Sequence, residues 1–136
     1  MRVPEVGSSD ATEGGGGAVG GPAGRERRAA ALAHFSALLV FFMPFGNAAG
    51  PLLVLFVFGG GSPFVRGHAL FSAALQGGVA VLAWAFFAAS LLHGWDVRLH
   101  FGLLLLSLLP AFILGVTALA GVRPPGPWGL WGRLFS

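Results

Sequence analysis

Residues His34 to Phe58 read HFSALLVFFMPFGNAAGPLLVLFVF, twenty-five positions without one charge but with PFGN at the centre and Gly-Pro close behind. Read as a single helix from Ala29 to Phe58, the stretch is too long for one membrane crossing. It would also contain Pro44, Gly46, Gly50 and Pro51, which remove hydrogen bonds and loosen a helical backbone. A helical hairpin accommodates all four. Pro44, Phe45 and Gly46 then turn the chain near the far surface, Asn47 satisfies loose backbone groups in the turn, and Pro51 sits in the first turn of the returning helix.

The surrounding composition identifies the solvent. Of 136 residues, 55% are hydrophobic and 10% charged, and the mean hydropathy is +0.80, far from the balance of a domain folded in water. An integral membrane protein follows, with room for three or four helices and no added soluble domain. There is no cysteine, which excludes disulfides, thiolate metal sites and thiol nucleophiles. A net charge of +3 is carried by scattered arginines, so no nucleic-acid footprint is present. Residues 1–24, rich in Gly, Ser and Pro, read as a disordered cytoplasmic tail. The Arg25–Arg28 cluster before an apolar run also imitates a signal peptide, but long apolar segments continue beyond any cleavage point, which suits a retained anchor.

Four apolar segments can be marked: Ala29–Met43, Ala48–Phe58, Ala69–Leu92 and Phe101–Val122. A bilayer core of about 30 Å calls for roughly 20 helical residues, which the last two reach easily and the second does not. Arginine placement favours four crossings. Arg25, Arg27, Arg28, Arg66, Arg123 and Arg133 then share the cytoplasmic side and only Arg98 lies opposite; three crossings would divide them almost evenly. The fold expected is all-α, four transmembrane helices as two hairpins with a short second helix, over residues 25–122. Residues 123–136 form an interfacial cytoplasmic tail, with Trp128 and Trp131 in an aromatic belt.

The third segment carries a small and polar stripe, Ala69, Ser72, Ala73, Gln76, Gly77, Ala80 and Ala83, opposite a bulky one, Phe71, Leu75, Val79, Leu82 and Phe86. In lipid the small stripe belongs against another helix, and Ser107, Ala111, Gly115 and Ala118 of the fourth segment supply a matching face. His34 and Gln76 fall in the cytoplasmic half of the membrane, where they can share a hydrogen bond or mark a substrate or proton route. His34 and His68 can also approach each other, although a metal would require further ligands. His93 and His100 read as interfacial caps. No serine-nucleophile, paired-carboxylate or phosphate-loop pattern occurs, so no catalytic, cofactor-binding or metal-ligating residue is assigned, and no cofactor is expected.

The run ALAHFSALLVFFMPFGNAAGPLLV, then SPFV at Ser62, Pro63, Phe64 and Val65, then His68 and Gln76, resembles the bacterial small membrane proteins related to the Tic-twenty subunit of the chloroplast inner-envelope import translocon. The likeness covers about Arg27 to Leu82. It matches at His34, Pro44, Phe45, Gly46, Asn47, Gly50, Pro51, Ser62, Pro63, Phe64, His68 and Gln76. The resemblance implies a four-helix membrane protein with both termini cytoplasmic, in a family whose bacterial members have no assigned activity and whose plastid relatives help move precursor proteins across the membrane. A bundle this small has little interior for a pore, so the reading adopted is a non-enzymatic protein of the bacterial cytoplasmic membrane that associates with itself or with other membrane subunits as a translocon-like or scaffold component. The family pattern closes its second helix with charged residues where this chain has FGGG. It places acidic residues where this chain has Arg66 and Gly67, and Asn-Phe where Ala74 and Leu75 stand. The other reading of His34, His68 and Gln76 is a small metal- or proton-handling transporter or membrane enzyme.

Overall fold

The computed structural model describes residues 21–96 and 98–128. Residues 1–20 of the expected tail lie outside that range, as do Trp131 and Arg133. Among the described residues the chain is all-helical: α1 (Gly24–Phe35), a 3₁₀ stretch (Ser36–Phe41), α2 (Gly46–Phe58), a short 3₁₀ turn (Gly59–Gly61), α3 (Pro63–His93) and α4 (Arg98–Leu119).

The chain does reverse after the first arm. Phe45 adopts the left-handed conformation, φ 60° and ψ 10°, as the residue before α2, and Gly46 follows where a side chain would collide with the Leu39 carbonyl. The proline expected in the first turn of the returning helix lies deeper, because α2 begins at Gly46 and Pro51 is interior to it. Gly50 lets α2 lie directly on the first arm, since a Cβ there would overlap Ser36. At about 1.5 Å per α residue and 2.0 Å per 3₁₀ residue, α1 and its extension rise about 30 Å, and α2 about 20 Å.

The SPFV motif starts α3. Ser62 is its N-cap, its hydroxyl accepting from the Val65 N–H at 3.3 Å, and Pro63 opens the first turn where no donor is needed. Gly94, at φ 71°, ends it. Among the described residues only α3 and α4, 31 and 22 residues long, have the length and hydropathy to cross a membrane as single helices, and each buries just 22% of its most apolar window inside the protein. A soluble core helix would be mostly covered.

What the interior contains is unusual for water. The buried apolar residues are nearly all alanine: Ala30, Ala31, Ala33, Ala37, Ala69, Ala80, Ala83, Ala111 and Ala118, with Val54 and Val65. The large apolar side chains point outward, Phe42 and Phe56 being 85% and 84% exposed and Leu92 82%. The expected small stripe of α3 is the buried one at Ala69, Ser72, Gln76, Ala80 and Ala83, and Ser107, Ala111, Gly115 and Ala118 are buried on α4. The lower half of α4 lies against α1, where Gly115 meets the Phe35 ring. The bulky stripe of α3, expected to face acyl chains, is only partly turned outward: Leu82 is exposed, but Phe71 turns between His34 and Trp128.

Candidate functional site

Polar side chains lie along the inner face of α3 at successive turns, His68, Ser72 and Gln76, all buried. The Ser72 hydroxyl donates to the Ala33 carbonyl at 2.8 Å, tying α3 to α1. Beside Gln76, the Asn47 amide donates to the Gln76 main-chain carbonyl at 3.1 Å, tying α2 to α3. Asn47 therefore clamps two helices and does not cap its own turn, as its place in PFGN suggested. The Gln76 side chain makes no bond to His34: both its amide atoms, with Asn47 Oδ1 and His34 Nδ1, are buried without a hydrogen-bond partner among the described residues.

His34 pairs instead with His68, the other approach open to it. Their nitrogens, His34 Nε2 and His68 Nδ1, are 3.0 Å apart and buried, and the rings meet edge to face, centroids 5.3 Å apart. His68 Nε2 lies 2.9 Å from the Val122 carbonyl. A carbonyl only accepts, so His68 carries its proton on Nε2 and offers the Nδ1 lone pair to His34. His34 then donates from Nε2 and keeps a bare lone pair on Nδ1. One acceptor fixes the tautomers of both rings.

Three groups gather at the end of the bundle where α1 begins. Arg25 and Glu26 share a cleft of about 300 Å³ with Val57, Phe58, Gly61 and Ser62. Arg27 donates to the Pro22 carbonyl at 2.8 Å and lies against Gly121. Arg66 donates to the Gly59 carbonyl at 3.1 Å, so two departures from the motif pattern, FGGG and Arg66, bond to each other. The Ser62 hydroxyl, first, and the Ala23 N–H, second, hold the Glu26 carboxyl below the usual carboxylate range. At the opposite end His100 is buried, with Nδ1 2.8 Å from the Ala83 carbonyl. It fastens α4 to α3 and is no interfacial cap; only its i, i+7 phase with Ser107 on α4 marked it as inward. His93 remains exposed beside Trp95.

The fold and this site together define a small helical membrane protein with a polar seam and a lipid-compatible surface. The model of the magnetosome magnetite crystal formation protein family matches residues 25–124, and the chain belongs to that family. No curated protein and no solved structure matches, so nothing in these comparisons connects the chain with the plastid import component.

Proposed function

We propose that this chain is a non-enzymatic, multi-pass protein of the magnetosome membrane, crossing four times as two hairpins with both ends cytoplasmic. It acts as a subunit of a larger membrane assembly in which magnetite crystals form. The supporting observation is the inverted distribution of side-chain size, alanine within and leucine and phenylalanine without. Such a surface is unstable in water and matched to acyl chains. The buried side chains are mostly small and the apolar ones face outward, which favours work done by association with itself or with other subunits. The resemblance to the import component adds the narrower reading of a translocon-like or scaffold subunit. Metal handling by His34, His68 and Gln76 has less support: among the described residues no three His, Asp or Glu side chains cluster.

The gathering of Arg25, Arg27, Arg28, Arg66 and Arg123 at one end supports the orientation, since such ends stay cytoplasmic. Because the chain lacks cysteine, Arg66→Cys and Arg98→Cys each introduce a single label site. In isolated magnetosomes, whose cytoplasmic face is outward, an impermeant maleimide should modify the Arg66→Cys variant directly and the Arg98→Cys variant only after permeabilisation. The reverse pattern, or both sites reacting at once, would sink the topology. Isolation in mild detergent should recover companions or a second copy of the chain; recovery as a lone monomer would sink the assembly role.

A further inference from the structure

We propose that His34 and His68 form a two-imidazole proton relay that accepts a proton at His34 Nδ1 inside the bundle and releases one from His68 Nε2 at the arginine-rich end. The hydrogen bonds run in a single direction. His34 Nε2–H donates to His68 Nδ1 across 3.0 Å, and His68 Nε2–H donates to the Val122 carbonyl across 2.9 Å. Val122 is 53% exposed and His68 only 1%, so the Val122 residue stands between the buried ring and the surface. The inlet, His34 Nδ1, is a buried acceptor with no partner among the described residues, a state that burial penalises unless the atom is used.

The step balances without a further reagent. A proton bonds to His34 Nδ1; the His34 Nε2–H bond breaks and its proton passes to His68 Nδ1; the His68 Nε2–H bond breaks and its proton leaves to water beside Val122. Both rings end in the opposite tautomer, and each must turn over before the next passage. Elsewhere in the bundle, Asn47 Oδ1 on α2 and the Gln76 amide atoms on α3 are likewise buried without a partner among the described residues, groups of the kind that hold internal water.

The ionised groups on the surrounding elements are engaged or turned away. On α1, Arg27 binds the Pro22 carbonyl and Glu26 the Ala23 N–H, while Arg25 and Arg28 are exposed. Arg66 on α3 binds Gly59, Arg123 after α4 is exposed, and α2 and the 3₁₀ stretch carry no ionisable side chain.

Magnetite formation needs such an outlet, a link that rests on the magnetosome reading. One iron(II), two iron(III) and four waters yield one formula unit of magnetite and eight protons, so a compartment that grows the crystal acidifies unless protons leave.

The test uses the full chain in vesicles carrying an internal pH dye, under a potassium diffusion potential set with valinomycin. Proton flux above that of protein-free vesicles is expected for the natural chain, with loss of the excess in His34→Gln and in His68→Phe. Flux equal to protein-free vesicles, or retained in His34→Gln, overturns the relay. Should the variants fail to fold, solid-state NMR of the ¹⁵N-histidine-labelled natural chain in bilayers decides. Both rings protonated at Nε2, with coupling across the His34–His68 bond, is the expected result; His34 protonated at Nδ1 overturns it. A cell carrying a flux-deficient His34→Gln chain yet growing normal crystals would overturn the magnetite link separately.

Discussion

Glycines set how closely backbone and side chain approach in this molecule. A Cβ at Gly115 would sit 2.7 Å from the Phe35 ring, so Gly115→Leu should destabilise by about 1–3 kcal/mol. Thermal melting in detergent would read the loss, and adding Phe35→Ala should return part of it. No recovery in the double variant would mean the two sites are not in contact. Gly50 faces Ser36 in the same manner. Phe45 presents the opposite case, a bulky residue held at φ 60°. Phe45→Gly should relieve roughly 1 kcal/mol of backbone strain, offset by the lost contact with the Trp84 ring, centroids 5.8 Å apart. A large net loss would show that the turn is held by that stacking and not by the backbone.

The start of α3 is the element most open to test. Ser62→Ala removes the N-cap and should cost about 1 kcal/mol, measured as a lower melting temperature. The same change withdraws the first hydrogen bond holding the Glu26 carboxyl down. A carboxyl lowered on folding stabilises the fold at pH above its ordinary value of 4.5, and that contribution disappears as pH falls through the lowered folded value. Melting temperature should therefore fall with acid below about pH 4.5. In Ser62→Ala this acid dependence should shrink, because the folded and unfolded values of Glu26 move together. An unchanged acid limb would exclude Glu26 as its source. SPFV carries the first-turn signature of Ser before Pro, yet the apolar pattern starts the third segment only at Ala69, so the N-cap was not placed from the sequence. The 3₁₀ geometry of Ser36–Phe41 was not legible either: nothing in SALLVF distinguishes it from α-helix, and only the structure shows Ser36 and Leu39 lying against Gly50 and Gly46.

For the molecule as a whole, the reversed placement of large and small side chains predicts a reversed mutational pattern. Leu106→Ala, on the exposed apolar face, should shift stability by less than about 0.5 kcal/mol. Ala111→Leu, inside, should cost about 1–3 kcal/mol. A soluble protein would rank the pair oppositely, and melting of both variants in one detergent decides. The small faces of α3 and α4 were readable because helical periodicity places Ala, Ser and Gly in register, and the reversal at Pro44–Gly46 because those residues suit no helix interior. The partners of the polar side chains were not readable. His34, Asn47, Gln76 and His100 each had several neighbours within reach on a helical wheel, and the choice depended on how far each helix slid along the next. The six residues of the 3₁₀ stretch carry one more consequence. Rewound as α-helix, they would shorten by about 3 Å, so the first arm holds a built-in slack. Under the four-crossing topology proposed above, a bilayer thinner by that amount would be matched by drawing the Phe42–Phe45 corner inward while everything below Phe35 keeps its place.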